Sequence, residues 1–234
     1  MSAEPKREAA RVREVYARRA ERGLDSRYDY WLPANLFIHQ GRERALIAAL
    51  DDAALLPLTG RRILDAGCGN GAVLHDMQRY GAQAQDLCGV DLLPDRVDRA
   101  RELLPGADIE VADAQSLPHE DAAFDVVLGF TLLSSVLDET IRQRIAAAMT
   151  RVTKPGGLIV LYDFWTNPTN RDARPLRRDD VRRLFSGHPI AFRGVTLAPP
   201  LVRTLIGLPG GRLACSALEV LPFLRTHFIA AVRI

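Results

Sequence analysis

The stretch Ile63-Leu64-Asp65-Ala66-Gly67-Cys68-Gly69-Asn70-Gly71 is an apolar run that ends in an acid and passes through three alternate glycines toward a helical pattern. It predicts a strand, a tight turn and a helix. Glycine is needed at such a turn because a ligand approaches the main chain closely there, and a Cβ would clash or forbid the backbone angles. Gly67, Gly69 and Ala72 also satisfy the G-x-G-x-x-A pattern in which a helix N-terminus faces a pyrophosphate. Asp65 argues for a different ligand. Its charge repels a phosphate but pairs with an ammonium group.

Downstream of this loop, β-rich runs alternate with helical patterns. The candidate strands are RILDAG, DLCGVD, ADIEVAD, FDVVLGF and GGLIVLYDF, and their alternation with helices predicts a parallel, doubly wound sheet. Residues 94–104 and 139–152 have helical spacing, and Lys154-Pro155-Gly156-Gly157 stops the second helix before the next strand. Two further strands are expected at 192–198 and 226–234. Upstream, residues 5–22 mix Arg and Glu around Val12, Val15 and Tyr16, which reads as a surface helix. The aromatic segment 24–40 is broken by Pro33 and reads as a structured loop leading into a helix over 42–50. The chain is thus expected to divide into an N-terminal helical cap or lid, 1–50, and a single α/β domain, 51–234.

Composition narrows the function classes. The 234 residues are 47% hydrophobic and 26% charged, values of a globular domain and not of a disordered or fibrous chain. With 31 basic and 29 acidic residues the net charge is +2, too balanced for a dedicated nucleic-acid binder. Cys68, Cys88 and Cys215 form no CxxC pair, so neither a disulfide framework nor a zinc knuckle is expected, and a reducing cytoplasm fits. No apolar run approaches spanning length, and no membrane partner is expected.

Two more acids complete the pattern. Asp91 closes the second candidate strand, where a carboxylate accepts hydrogen bonds from ribose hydroxyls, and Asp113, after the third, suits an exocyclic amine. Over about residues 60–165 the chain resembles the class I S-adenosylmethionine-dependent methyltransferases, in particular small-molecule enzymes of bacterial glycan or secondary-metabolite pathways. The resemblance implies that S-adenosylmethionine is the cofactor. It places Asp65, Gly67, Cys68, Gly69 and Gly71 at its methionine end, Asp91 and Leu92 at its ribose, Asp113 and Ala114 at its adenine, and Phe130 after the fourth strand. It also implies a Rossmann-like, seven-stranded, doubly wound sheet with an antiparallel last strand and helices on both faces.

For chemistry, the residues of interest lie at the carboxyl ends of the strands. An antiparallel last strand would begin at that same edge, with Arg225-Thr226-His227. His227 is therefore the first candidate for general base, with Asp163 orienting it or touching the acceptor, and His39 is the second. A divalent ion such as Mg²⁺ on Asp163 and Asp138 has no fixed ligand spacing behind it, so no metal ligands are assigned. Tyr28, Tyr30, Trp31, Phe37 and Trp165 suggest flat pocket walls, and Arg42, Arg44, Arg171 and Arg174 are candidates to pair with an anionic acceptor. The expectation is methyl transfer to a hydroxyl oxygen of a small molecule, a sugar or glycoside among the candidates, by an enzyme that forms a homodimer. The alternatives are a cofactor-binding protein without catalysis, and N- or C-methylation of an aromatic metabolite.

Overall fold

The structure, a computed structural model, describes residues 3–23, 26–27, 29–167 and 172–234. Seven strands form one sheet: β1 (Ile63–Ala66), β2 (Leu87–Asp91), β3 (Asp108–Val111), β4 (Phe124–Phe130), β5 (Thr153–Phe164), β6 (Ile190–Leu197) and β7 (Arg225–Arg233). Their order is β3-β2-β1-β4-β5-β7-β6. The pairs from β3 through β5 are parallel, and β7 runs antiparallel to both β5 and β6. This is the expected doubly wound arrangement. β1 is buried at every position, which explains its unbroken apolar run apart from Asp65.

Alternation along the strands feeds two cores. On one face Leu64, Val127, Ile159 and Phe228 pack with α5 (Glu139–Val152) and α6 (Arg178–Leu184) through Ile145, Met149, Val181 and Phe185. On the other, Ile63, Val126, Val160 and Ile229 pack with α2 (Pro33–Asp52), α3 (Ala72–Arg79) and α4 (Pro94–Leu103) through Leu46, Leu50, Leu74, Met77 and Val97. Among the described residues, no helix is long and apolar enough to cross a membrane.

Three local readings change. Pro33 begins α2 instead of breaking the chain before residue 42. It occupies the first turn, where its missing N–H has no helical partner to lose. The two helices of the expected 1–50 cap take different places: α2 is a layer of the domain, packed along β6 and β7, whereas α1 (Ala3–Glu21) crosses the carboxyl edge of the sheet. Between β6 and β7 the chain forms α7 (Pro199–Leu205) and α8 (Gly211–Glu219). Together with α2 they enclose a third, small apolar cluster of Ala34, Phe37, Leu197, Val202 and Cys215.

Candidate active site

The glycine loop leaves β1 and turns sharply under β2. Gly67 and Cys68 both donate N–H bonds to the Val90 carbonyl, at 2.8 and 2.9 Å, and Gly71 N–H returns to Cys68 O at 2.9 Å. Gly67 has φ of 109°, and a Cβ there would lie 3.0 Å from Leu132 Cδ1. Gly71 has φ of 82°, with Ala100 Cβ 3.1 Å from where a Cβ would sit. Both positions therefore exclude larger residues on backbone and packing grounds at once. Cys68 fills space: burial and the neighbouring Asp65 and Asp91 push its thiol far above the usual range, so no thiolate forms.

Two acids, Asp91 and Asp113, line the cleft beyond this loop, and a third, Asp65, is buried at the end of β1. Asp91 is held by two backbone donors, Gly69 N–H on Oδ2 and Leu93 N–H on Oδ1, each at 2.9 Å. Asp113 accepts both the backbone N–H and the side-chain amide of Gln115, at 2.9 Å each, and Ala114 beside it is buried. Asp65 differs from both. It is 1% exposed, its Oδ1 has no hydrogen-bond partner, and burial, reinforced by the charge of Asp91 and opposed by Arg42, raises its pKa to about 8. A buried carboxylate oxygen without a donor needs one, and an ammonium would supply it.

Gly67, Asp91, Leu92, Asp113 and Phe130 line one cleft, whose outer wall is Glu8, Val12 and Tyr16 of α1. With α1 in place the cleft encloses about 110 Å³. The helix is clasped down at its edge. Glu8 Oε1 accepts from Leu137 N–H and from Arg11 Nη2, each at 2.7 Å, Arg11 Nη2 donates to Ser135 O at 2.6 Å, and the Arg96 guanidinium lies 4.2 Å from the Tyr16 ring centre.

Phe130 links this cleft to a second group of side chains. Its ring centre is 5.5 Å from that of Tyr162, and the Arg42 guanidinium lies over both rings at 5.5 and 5.6 Å. Tyr162 in turn stacks on His227 at 5.1 Å, and Phe164 meets the same imidazole edge-on at 5.9 Å. His227 Nδ1 is 2.9 Å from Thr226 Oγ1, and the Tyr162 hydroxyl is 2.9 Å from Thr196 Oγ1. Burial, with the Arg42 charge second, lowers the His227 pKa to about 4, and the same two causes lower His39 to about 4. Both imidazoles are neutral at physiological pH. His39 packs on Tyr30 at 5.2 Å, one helical turn before Arg42 on α2.

The expected pairing of Asp163 with His227 is not formed. Residue alternation sends Asp163 to the α5 face, beside Phe228, while His227 emerges on the α2 face. Asp163 instead accepts Ser134 N–H on Oδ2 and Phe164 N–H on Oδ1, at 3.0 Å each, and supports the turn after β4. Burial raises its pKa to about 6. Asp138 caps α5 through Ile141 N–H at 3.0 Å, and no metal-ligating cluster occurs among the described residues. Of the four candidate arginines, Arg44 pairs with Glu219, Arg174 pairs with Glu139, and Arg171 lies outside the described residues, as does Tyr28. Arg42 joins the aromatic group and also pairs with Asp76 Oδ2, at 3.7 Å. In sequence Thr226 and Tyr16 read only as part of the last strand's start and of a surface helix, and Tyr162 and Glu8 carry no assigned role, although the spacing of His39 and Arg42 does place those two on one helical face.

Comparison with known proteins bears on the fold and on the segment that carries the glycine loop. Residues 63–157 match the family described as "Methyltransferase domain". That segment thus matches a methyltransferase domain in sequence, and the chain shares its fold with solved methyltransferases. It is 37% identical over 126 residues to the 27-O-demethylrifamycin SV methyltransferase of Amycolatopsis mediterranei, covering 50% of this chain and 44% of that protein. It is 30% identical over 141 residues to norajmaline N-methyltransferase of Rauvolfia serpentina, covering 57% and 45%. The chain thus spans less than half the length of these curated relatives. Among solved structures, a SAM-dependent methyltransferase of Thermotoga maritima superposes with a TM-score of 0.61 at 16% identity, covering 91% of this chain and 97% of that one.

Proposed function

We propose that this protein transfers the methyl group of S-adenosylmethionine to a hydroxyl oxygen of a small-molecule acceptor, with His227 as the base. The observation that carries this reading is the continuity, through Phe130, between the acid-lined cleft and a buried group holding one cation and a neutral imidazole. These residues suit the cofactor because Asp65 Oδ1 lacks a donor, and at Gly69 the nearest atom to an added Cβ is Arg96 Nη1, at 3.5 Å. Asp65 would hold its ammonium, Asp91 its ribose and Asp113 its adenine. When bound, it supplies an electrophilic sulfonium methyl group.

The protein's own part is alignment and proton handling. With Nδ1–H donating to Thr226 Oγ1, Nε2 of His227 carries the free lone pair and takes the acceptor's hydroxyl proton. Arg42 stabilises the oxygen's developing negative charge in a site from which burial excludes water. That oxyanion offsets the Arg42 field on His227, so its basicity rises as the proton moves. Phe130, Tyr162 and Phe164 give flat walls suited to a sugar or aromatic ring. His39, on the same α2 face as Arg42, is the second candidate base. Nitrogen methylation is disfavoured, because Arg42 repels a protonated amine.

α1 acts in this reading as the lid. A cleft of about 110 Å³ is smaller than the roughly 300–1,000 Å³ of ordinary ligand pockets, so α1 shifts for the cofactor to enter. The three free cysteines, all buried, suit a reducing cytoplasm.

The test compares His227→Ala and His39→Ala for turnover on a panel of phenolic and sugar hydroxyls, with cofactor binding followed separately. His227→Ala is expected to lose about 10²–10⁴-fold in turnover with unchanged cofactor affinity. Full activity in both variants contradicts the histidine base.

A further inference from the structure

The segment between β6 and β7 carries an exposed surface that methyl transfer does not use. α8 buries Gly211 and Cys215 against α2 and α7, yet it is apolar on the outer side as well. Leu213, Ala217 and Val220 follow helical spacing along that outer face, and Leu213 and Val220 are 78% and 69% exposed. Arg212, Ser216 and Glu219 form its polar strip, and the outer apolar side chains beyond that strip stand in solvent. The turns at its two ends add Leu208 and Phe223, which are 55% and 73% exposed. Large apolar side chains concentrated this way mark an interaction surface.

Charge indicates what covers it. Residues 198–224 contain two arginines, Arg203 and Arg212, and one acid, Glu219. Glu219 is already engaged by Arg44 from α2. Arg203 of α7 and Arg212 of α8 have no carboxylate partner among the described residues, and Arg212 donates only to Gln40 Oε1, at 3.3 Å. A two-fold contact between identical hairpins would offer these arginines only Glu219 as an acid, and Arg44 already holds it. A surface that is apolar below and anionic above matches both features.

We propose that the α7–α8 hairpin docks the protein peripherally on an anionic lipid surface, with Leu213, Val220 and Phe223 entering the acyl boundary and Arg203 and Arg212 meeting headgroup phosphates. The expectation of no membrane partner rests on the lack of a spanning stretch, which bears on crossing and not on docking. The hairpin joins the end of β6 to the start of β7, two residues before His227, so docking brings that edge of the sheet close to the bilayer.

The test is co-sedimentation of the full chain with vesicles of phosphatidylcholine alone and of phosphatidylcholine mixed with phosphatidylglycerol. Binding is expected to the anionic vesicles only, to weaken with added salt, and to fall about tenfold or more in Leu213→Glu/Phe223→Glu. Unchanged affinity of that variant for S-adenosylhomocysteine shows that it is folded, and Arg203→Glu/Arg212→Glu provides a second reading if it is not. Equal binding to both vesicles, binding to neither, or a variant that binds as well as the parent overturns the proposal. So does a change from dimer to monomer in the variant without any vesicle binding by the parent, which assigns the surface to a second copy. None of these outcomes depends on turnover, so failure here is distinguishable from failure of the methyl-transfer reading.

Discussion

Asp65 shows how one residue couples stability to ligand binding. Its carboxyl is buried at the end of β1 with an oxygen that nothing in the protein satisfies, and its pKa of about 8 lies above the ordinary value of 3.8. A raised folded-state pKa stabilises the protein at low pH, and that contribution is lost as pH rises from about 4 through 8. The cofactor's ammonium favours the ionised form, so binding is expected to release a proton and to tighten by up to about tenfold per pH unit between pH 6 and 8. Calorimetry across that range checks this. Asp65→Asn is expected to abolish the pH dependence, weaken the cofactor and raise the melting temperature of the unliganded protein at pH 8. An affinity that is flat with pH in the parent contradicts the assignment. Asp163 has the opposite character, since both its oxygens are satisfied by Ser134 and Phe164 N–H groups. Asp163→Ala is expected to cost about 1–3 kcal/mol in denaturant unfolding by orphaning those donors, and to leave the pH profile of turnover unmoved.

At the level of the helices, α1 and α2 separate what segment 1–50 joins. Leu50 is fully buried in the core beneath the sheet, and Leu50→Ala is expected to lower stability by about 2–5 kcal/mol in equilibrium unfolding. α1 is clasped to the loops after β4 by Glu8 and Arg11. Removing residues 1–23 is expected to leave the melting temperature of the remainder nearly intact while speeding cofactor release in stopped flow. A loss of fold on that deletion contradicts the lid. Sequence reasoning reached the β1–glycine–α3 unit because its determinants are contiguous: an apolar run, an acid and residues at positive φ. It misread Pro33 because a proline that opens a helix and one that breaks a loop look alike without the packing of Phe37 and Leu46. It left α7 and α8 unassigned because both are short, and Pro199, Pro200, Pro209, Gly210 and Gly211, at their starts and between them, read as loop signals.

For the molecule as a whole, the topology brings two chemistries to one edge. The parallel strands β1, β2 and β3 deliver the acids and glycines of the cleft, and the reversed β7 returns His227 beside Tyr162 of β5. The acids of the cleft were legible because each follows a strand end at a recognisable position. The Arg42–His227 group was legible only in part, because it depends on contacts between α2 and β7, far apart in the chain. The alternation that sends Asp163 and His227 to opposite faces likewise depends on the pairing register, which the sequence does not display.

Calorimetric titration of the purified protein with S-adenosylmethionine, S-adenosylhomocysteine and NAD⁺, using Asp91→Ala as the control, tests the cofactor assignment on which the function rests. Binding of the first two in the micromolar range, abolished by Asp91→Ala, is the expected result. Binding of NAD⁺ alone, or S-adenosylmethionine binding that survives Asp91→Ala, would contradict it.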